Sequence, residues 1–475
     1  MAAQNLTPII LKPAQASSMS RCTIFHSLPK STLPRTRITP RINQVRFFKP
    51  ISSALSDPYV LQLAETLEDS LPSTSSPPPP LQKLRDYSSE SLLSTSWPSR
   101  KDEPFRFTDT SFIKNSRILP IESPQYQSLT SLVDSTETLV PGLTVVDGYL
   151  VNDLSLLTEL PDGVYVGGLS MLNSEAIMKR VSEYVSSFQG DLFWSLNGVG
   201  APELILVYVP EGCKVEKPLH LRYVSVKGEE KESKTLPVSN PRVLVLVEKG
   251  GEIGIIEEYV NGDGDHCYWT NAVMDVVIGE GAKVNHSYIQ TQSLGAAHTK
   301  WTSVRQESNS IYKLTEVSTG GKLSRHNLHV QQYGPDTVTE FSTFHVALGD
   351  QTQDLHSKLI LDHPRGFSRQ LHKCIVAHSS AQAVFDGNVQ VNRATVNVKP
   401  NLQIIADDVQ CSHGAAISDL EENQLFYFQA RGIDAEIARK ALIFSFAAEV
   451  TQRFPYSSLR KKVENHIQNL LDPRP

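Results

Sequence analysis

The sequence is short of cysteine, and its few cysteines lie far apart. Five cysteines occur in 475 residues, at Cys22, Cys213, Cys267, Cys374 and Cys411. That number is too small for a disulfide scaffold, and no two of them form a Cys-x-x-Cys pair. The pattern predicts a protein of a reducing compartment.

Long hydrophobic runs and an excess of positive charge are also missing. No apolar stretch approaches the ~18 residues of a membrane-spanning helix, and the mean hydropathy is -0.23. Hydrophobic residues make up 40% of the chain and charged residues 20%, which excludes a wholly disordered polypeptide. The net charge is -6 at pH 7, and an acidic chain is a poor partner for nucleic acid. We therefore expect a folded protein without a membrane span or a bound nucleic acid.

Acidic residues are absent from the first part of the chain. Residues 1–56 contain no Asp or Glu but eight Lys or Arg and thirteen Ser or Thr, a composition typical of an organelle transit peptide. A basic tail that binds nucleic acid is the alternative. Without these eight residues the 45 basic residues of the chain fall to 37 against 51 acidic ones, a net charge of -14.

The remaining sequence changes from helical to strand patterns and back to helical patterns. Apolar residues at helical spacing predict helices, over 58–69, 81–97 and 172–189. Four consecutive prolines, Pro77 to Pro80, indicate an extended polyproline linker over 71–80. Beyond Glu203, short runs rich in β-branched residues are bounded by Gly, Pro or Asn, which predicts strands.

The expected domains are a transit peptide (1–56), an amino-terminal helical region (57–195), a β core (196–417) and a carboxy-terminal helical domain (418–475).

The strand-rich region favours a parallel β-helix. Turn glycines recur in it at intervals of about 30 to 40 residues, as expected for stacked coils of similar length. The Asn-Gly dipeptide, a strong hairpin signal, occurs only at Asn197-Gly198 and Asn261-Gly262. A sandwich and a jelly roll are the alternatives.

Two groups of His and Cys have the spacing that brings side chains to one face of a strand. His372, Cys374 and His378 alternate with other residues, as do Cys411 and His413. Thiolate and imidazole are suitable ligands for iron or zinc, but two ligands do not complete a tetrahedral site. Further donors would have to come from elsewhere, for example from another chain. An outward polar row or a satisfied core histidine is the alternative for the first group.

Nucleotide-binding motifs are absent. The nearest fragment to a phosphate-binding loop, Gly320-Gly321-Lys322, lacks both the first glycine spacing and the hydroxyl residue. We therefore expect no nucleotide hydrolysis by this chain. His326 and His329 are three residues apart in a predicted strand, so their side chains should point to opposite faces and not share a metal.

The carboxy-terminal region predicts two helices. Asp419 and Glu422 have the spacing of a capping box at the start of the first helix. Gly432 is placed to end that helix in a left-handed backbone conformation, and Asp434 to cap the start of the second helix. The stretch Ala441 to Ala448 is apolar around most of the helix circumference, so other residues must bury it. Packing on its own domain and contact with a partner protein remain open.

Several segments of the sequence resemble one known family. The string Ala406 to Ala415 (ADDVQCSHGA) closely resembles the carboxy-terminal signature of SufD members of the SufB/SufD family of iron–sulfur cluster assembly proteins. The resemblance continues at Asp419, Glu422, Gln424 to Tyr427, Arg431 to Ile433 and Ala447 to Val450. Trp97 to Thr108 is similar to the amino-terminal motif of the family, and Val215 to His220 to the start of its core. The resemblance spans about residues 85 to 455, and together with the leader it is similar to a plastid form of the family.

The resemblance implies a fold and partners. The expected fold is mainly β, a right-handed parallel β-helix core flanked by amino-terminal and carboxy-terminal helical domains. The family pairs with a SufB subunit through the β-helix and with the ABC ATPase SufC through the carboxy-terminal helices. Nucleotide would be bound by SufC and not by this chain. We therefore expect a non-enzymatic scaffold in the chloroplast stroma.

The resemblance also assigns site residues. His413 matches the family histidine near the SufB interface, where a nascent, transient iron–sulfur cluster is thought to form with a SufB cysteine, and Cys411 matches its neighbour. His372 and Cys374 have no motif support and are metal candidates from spacing alone. The expected ATPase-docking residues lie in the carboxy-terminal helices: Phe426, Tyr427, Arg431, Ala441, Leu442, Phe446 and Val450.

Two other functions remain as alternatives. The chain could be a purely structural partner of SufB that ligates no metal. It could also be a β-helix enzyme acting on polysaccharides, but that chemistry needs paired carboxylates at a defined separation. Asp407 and Asp408 are adjacent, so in a strand they point to opposite faces and cannot form such a pair.

Overall fold

The computed structural model describes most of the chain after residue 56. The described residues are 57–72, 76–124, 140–157, 160–230, 234–262, 264–363, 365–376, 380–391, 402–405 and 422–471. The predicted transit peptide, His378, Asp419 and the two candidate ligands Cys411 and His413 lie outside them.

The described helices lie before and after the strand-rich region. They are α1 (Pro58–Asp69), α2 (Pro79–Leu92), α3 (Ser111–Lys114), α4 (Glu175–Tyr184), α5 (Leu192–Gly200), α6 (Glu422–Gln429), α7 (Ala435–Thr451) and α8 (Ser457–Leu471). Among the described helices, none is long and apolar enough to cross a membrane.

The helix predictions are largely confirmed, with one correction. The predicted helix 58–69 matches α1 residue for residue. The helix predicted at 172–189 is shorter, at Glu175–Tyr184, and the one predicted at 81–97 both begins and ends earlier, at Pro79–Leu92. The linker prediction for 71–80 is wrong at its end, because Pro79 and Pro80 form the first turn of α2. Proline is favoured there because the amide of the first helical residue has no partner within the helix.

The strands follow in two sheets. They are β1 (Arg117–Pro120), β2 (Gly142–Val146), β3 (Tyr149–Leu156), β4 (Tyr165–Gly168), β5 (Leu204–Val209), β6 (Leu219–Ser225), β7 (Thr235–Ser239), β8 (Arg242–Val247), β9 (Glu252–Asn261), β10 (Trp269–Ile278), β11 (Lys283–Gln290), β12 (Ala297–Gln306), β13 (Ile311–Ser318), β14 (Leu323–Gln332), β15 (Val338–Ala347), β16 (Thr352–Leu361), β17 (Phe367–Val376), β18 (Gln382–Val391) and β19 (Leu402–Ile405). Sheet A has the order β18-β16-β14-β12-β10-β8-β5-β4, and sheet B has the order β19-β17-β15-β13-β11-β9-β6-β2-β3.

The region 57–195, predicted here as helical, also contains β1 to β4. Its β2–β3 hairpin turns at Asp147-Gly148, where both residues have positive φ values of 52° and 91°. Asp-Gly is a preferred pair for a turn of this kind. The helical prediction for this region is therefore incomplete. The signal that it missed is the Asp147-Gly148 pair, which indicates a hairpin.

From β8 onward the chain passes alternately through sheet A and sheet B, and neighbouring strands of each sheet are parallel. Trp269 of β10 pairs with Ala297 of β12, which pairs with Leu323 of β14, so these coils take 28 and 26 residues. The result is a parallel β-solenoid of about 5 turns. The predicted parallel β-helix is confirmed.

Glycine forms open corners between successive coils. Gly281 lies between β10 and β11 and Gly349 between β15 and β16, with φ values of 68° and 58°. A Cβ added at either position would meet no atom within 4 Å. Glycine is required there by its backbone conformation and not by crowding.

Helices cover the outer faces of both sheets. On sheet A, α5 is buried along its whole length, and Phe193 packs edge-on against Trp97 and Trp269 at ring-centroid distances of 5.6 and 5.9 Å. On sheet B, α7 and α8 pack over outward aliphatic side chains such as Val317. The apolar helix at 441–448 therefore finds much of its cover on its own domain.

Candidate functional site

The candidates predicted from strand spacing, His372 and Cys374, lie in β17 and point into the solenoid. His372 stacks on Phe385 of β18, with ring centroids 4.5 Å apart, and Cys374 packs beside Ala383 of the same strand. Since β18 belongs to sheet A and β17 to sheet B, both side chains lie between the sheets. The prediction that they share one face is confirmed.

The surroundings of His372 keep its ring neutral. Its Nδ1 lies 2.7 Å from the Thr343 hydroxyl, and its ring meets the His345 ring edge-on at 5.1 Å. Burial lowers the pKa of His372 well below its ordinary value, and the neighbouring His345 lowers it further. A neutral imidazole retains a lone pair, which is the form that binds a metal.

A complete metal site is not formed by the described residues alone. In that part of the chain, no group of three or more His, Cys, Asp or Glu side chains is arranged to hold a metal ion. Cys374 is buried, with 1% of its surface exposed. Its thiol is therefore screened from solvent, and a ligand role for His372 and Cys374 remains a proposal.

A buried polar cluster continues inward from His372 through Glu316. The Glu316 carboxylate accepts hydrogen bonds from His326 Nδ1 at 2.9 Å and from His345 Nε2 at 2.8 Å. Burial by itself raises the pKa of this carboxyl group, but the two imidazoles outweigh burial and hold it well below its usual range. Glu316 is therefore a fixed negative charge inside the solenoid.

A second buried carboxylate lies nearer the amino-terminal coils. Glu257 pairs with Lys300 and lies 3.0 Å from His286 Nε2 and 2.6 Å from the Tyr259 hydroxyl. Burial opposes its ionisation, yet Lys300 and His286 keep its pKa well below the ordinary value. The two clusters give the solenoid a charged and hydrogen-bonded interior in its middle coils.

His326 and His329 point to opposite faces of β14, as predicted. His326 points inward to Glu316, whereas His329 lies on the outer face against Trp301, at a centroid distance of 4.5 Å. Burial, reinforced by Lys358, lowers the pKa of His329 to about 4. The two histidines do not share a ligand site.

Sequence reasoning missed the interior carboxylates. Glu257 and Glu316 occupy alternate positions with buried apolar residues of their strands, such as Ile255 and Leu314. This period of two was a usable signal, because residues two apart in a strand share a face. A charge on the apolar face of a strand predicts a buried polar cluster.

One part of the predicted ATPase-docking set lies at the surface. Phe426 and Tyr427 of α6 are 70% and 54% exposed, and Arg431 and Ala441 are exposed as well. The Arg431 guanidinium lies 3.6 Å from the centroid of the Tyr427 ring. Large exposed aromatic side chains next to arginine are typical of protein-binding surfaces.

The other part packs inside the protein. Val450 is fully buried, and Leu442 and Phe446 are half-buried against the same apolar cluster. The Phe446 ring meets Phe344 of β15 at 6.4 Å and lies 4.1 Å from Lys373 Nζ. These three residues attach α7 to sheet B, so a direct contact between Val450 and another protein would require α7 to move.

The sequence matches two family models over most of its length. The model of the SufBD core domain of the SUF system of FeS cluster assembly matches residues 228–395 and 392–446. The model of the SufBD protein N-terminal region matches residues 59–221. Together the two models account for the amino-terminal helices, the solenoid and α7.

Individual relatives agree with the family models. Protein ABCI7, chloroplastic, of Arabidopsis thaliana is 56% identical over 96% of this chain and 100% of its own length. An iron–sulfur cluster assembly SufBD family protein of Synechocystis is 32% identical, over 82% of this chain and 90% of its own. Iron–sulfur cluster assembly protein SufD of Escherichia coli is 27% identical, over 79% and 89%. This chain is a SufD-like member of the SufB/SufD family of iron–sulfur cluster assembly proteins.

Proposed function

We propose that this protein is a scaffold subunit, and not an enzyme, of an iron–sulfur assembly complex. It pairs with a SufB-like subunit through the solenoid and with a SufC-like ABC ATPase through the carboxy-terminal helices. A nascent iron–sulfur cluster forms transiently at the interface with the SufB-like subunit. The observation that carries this proposal is the carboxy-terminal end of the solenoid, where the described strands of both sheets stop.

Both sheets end at this place. β18 is the last strand of sheet A and β19 the last strand of sheet B, and among the described residues neither has a strand on its outer side. The edge of a sheet presents unpaired N–H and C=O groups, which a strand of another chain can pair with. A subunit with a similar solenoid fits this end because it can extend both sheets.

The candidate ligands follow this edge closely in sequence. Cys411 and His413 come shortly after β19, which ends at Ile405. Thiolate sulfur is the usual ligand of iron–sulfur clusters, and imidazole replaces it in some of them. His372 and Cys374 are paired with β19 residues and are further candidate donors from the interior. The partner subunit completes the ligand set.

An anaerobic reconstitution tests the cluster site. The complex of the three proteins is assembled with iron and sulfide, and the His413→Ala and Cys411→Ala variants are compared with His363→Ala, a change on the turn after β16. We expect both site variants to lower bound iron and acid-labile sulfide and the control to retain them. Unchanged iron, sulfide and absorption spectra in both site variants would leave a purely structural partner of SufB as the function.

The ATPase-docking surface is carried by exposed residues of the carboxy-terminal helices. Phe426, Tyr427 and Ile437 are more than half exposed, and Arg431 and Ala441 lie beside them. Aromatic and aliphatic side chains exposed in this way gain free energy when a partner buries them. The half-buried Leu442 and Phe446 and the buried Val450 would support this surface from beneath.

A charge substitution tests the docking surface. Phe426→Asp should abolish co-purification of the ATPase while the SufB-like subunit stays bound. The control is Met171→Asp, because Met171 is also 70% exposed but lies near the amino-terminal helices. Full ATPase binding by Phe426→Asp, or equal loss with Met171→Asp, would contradict the assignment.

The location proposed for this protein is the chloroplast stroma. The acid-poor composition of residues 1–56 supports it. So does the Arabidopsis relative, whose name describes it as chloroplastic. A fluorescent protein fused behind residues 1–56 should accumulate in plastids, and one fused to a chain that lacks them should not.

A further inference from the structure

A cavity of about 330 Å³ lies where the carboxy-terminal helices meet sheet B. Its floor is formed by the outer face of β11, β13 and β15, and one wall by the turn that joins α7 to α8. The floor and the wall belong to separate layers of the protein. A molecule bound here would therefore contact both.

The floor of the cavity carries polar side chains at paired positions of neighbouring strands. Ser287, Thr315 and Ser342 are direct neighbours on β11, β13 and β15 and form a row of hydroxyl groups. Among the described residues, the fully buried Ser287 hydroxyl has no hydrogen-bond partner. A buried hydroxyl without a partner carries a free-energy cost that a ligand or water at this place can remove.

Positive charge predominates in the lining. Arg453 of the α7–α8 turn donates to the Ser342 hydroxyl at 2.9 Å, and Lys313 of β13 lies 3.2 Å from the Glu340 carboxylate. The lining thus holds two cations and one carboxylate, together with the amide of Asn285. This balance contrasts with the acidic charge of the whole chain.

We propose that this cavity binds a small oxyanion, a carboxylate or a phosphate group carried by a small molecule. Guanidinium, ammonium, amide and hydroxyl groups are the donors that recognise such groups, and arginine can bind them with two parallel hydrogen bonds. The volume lies at the lower end of the range of about 300 to 1,000 Å³ that is typical of small-molecule sites, so it suits a small ligand. No part of this assignment depends on the proposed function.

Occupancy would tie the carboxy-terminal helices more firmly to the solenoid. The ligand would contact Lys313 on the sheet and Arg453 on the turn at once. A ligand that binds only the attached form stabilises that form in proportion to its concentration. The attachment of α7 and α8 would then respond to the supply of the anion.

Calorimetry on the purified full chain tests the proposal, with inorganic phosphate and succinate as separate probes and chloride at equal ionic strength as the reference. We expect saturable binding of at least one probe. Binding of phosphate alone, of succinate alone, or of both in competition would each support the site and identify the group. Absence of saturation by both probes would overturn it.

A matched pair of lysines locates the site. Lys313 and Glu340 have side chains 48% and 32% exposed, and Lys283 and Glu252 form a similar cross-strand pair at 48% and 34% outside the cavity lining. Lys313→Gln should weaken binding about tenfold, as expected for loss of one charge-assisted hydrogen bond. Lys283→Gln removes the same charge and should leave affinity unchanged. Equal effects of the two variants would mean nonspecific charge attraction and would refute the site.

The wall residue provides an independent test. Arg453→Lys keeps the charge but loses the planar geometry, so it should also weaken binding of the probe. Hydrogen exchange in α7 and α8 should slow when the probe saturates the wild-type chain and should not slow in Lys313→Gln. Slowing that persists in Lys313→Gln would place the anion elsewhere.

Discussion

The helices over sheet A and the helices over sheet B are attached by different chemistry. Over sheet A, α5 is wholly buried, and the buried Arg242 pairs with Asp275 at 2.7 Å and with Asn197 at 3.1 Å. Over sheet B, each polar contact joins a partly exposed side chain of the helices or their connecting turn to a buried side chain of the sheet: Lys462 to Glu258, Arg453 to Ser342, and Glu449 to Lys373. The helices over sheet A are therefore part of the protein core, whereas α7 and α8 form a separate layer that packs on sheet B. These two helical layers are called the covers of sheet A and sheet B below.

This difference indicates which part can move. Buried ion pairs and interlocked aromatic rings lose much free energy when they separate, because the charges remain uncompensated and the rings leave cavities. Ion pairs with one partner in solvent, as over sheet B, contribute less because water and salt screen the exposed charge. Motion driven by a partner should therefore occur at the carboxy-terminal helices, while the amino-terminal helices and the solenoid remain one unit.

The largest effect should come from the aromatic cluster over sheet A. Phe193→Ala is expected to lower the free energy of unfolding by about 3 to 5 kcal/mol, since Phe193 is fully buried. Chemical denaturation measures the loss. Phe367→Ala is the control, because Phe367 is 51% exposed. Similar losses in the two variants would mean that the cluster does not anchor α5.

The corresponding change over sheet B should act locally. Phe454 is 1% exposed in the cluster beneath α7 and α8, and Phe454→Ala should cost up to about 3 to 5 kcal/mol of their attachment. Hydrogen exchange should become faster in α7 and α8 and stay unchanged in α5. Uniform acceleration along the chain would show that the two covers are not separable.

Acid should destabilise the helical layers over sheet A and sheet B through two different buried histidines. His329, on the outer face of sheet A, has a pKa of about 4. Burial also lowers the pKa of His466, whose Nε2 lies 2.9 Å from the hydroxyl of Thr319, the residue after β13 of sheet B. Both rings take up a proton near pH 6.5 once released. Below about pH 6.5, His329 therefore lowers the global free energy of unfolding, and His466 lowers the free energy that attaches α7 and α8 to sheet B. Each loss is about 1.4 kcal/mol per pH unit until the folded pKa of that ring is reached.

Two variants assign this pH dependence. His329→Gln should remove about 2 kcal/mol of the loss in global stability between pH 7 and pH 5. His466→Gln should change only the pH dependence of exchange in α7 and α8. The assignment fails if His466→Gln alters global acid stability and His329→Gln does not.

The smallest effect concerns a single hydroxyl on the surface that α7 and α8 cover. Ser287→Ala removes a hydroxyl that has no partner among the described residues, so stability should stay the same or rise by less than about 1 kcal/mol. Ser342→Ala removes the acceptor of Arg453 and should cost about 1 kcal/mol. Thermal unfolding of both variants in chloride buffer makes the comparison, and a larger loss for Ser287→Ala would contradict it.

The sequence predicted the solenoid because strand content and turn spacing are local properties. It could not predict which carboxylates lie inside. Glu257 and Glu258 are adjacent, so one of them must face inward, and a solvated outer face is the ordinary place for the other. In fact both are buried, since Glu258 lies under α8 and beside His220. Only the position of a helix two hundred residues further along the chain explains this burial.

The carboxy-terminal helices show the same limit. The apolar circumference of α7 predicts burial but not what covers it. Val450 is covered by sheet B, while Ile437 of the same helix stays 61% exposed. Periodicity within one helix cannot separate these two cases, because both residues have apolar side chains. The contact with sheet B distinguishes them.

The open glycine corners determine where the chain tolerates a change of length. One residue added at the start of β13 would shift the rest of the strand by one position and turn Glu316 outward and Lys313 inward, because alternate residues of a strand face opposite sides. Residues added beside Gly281 or Gly349 would extend into open space and leave the pairing of the strands intact. Epitope tags or spectroscopic probes for following assembly of the complex therefore belong at these two corners.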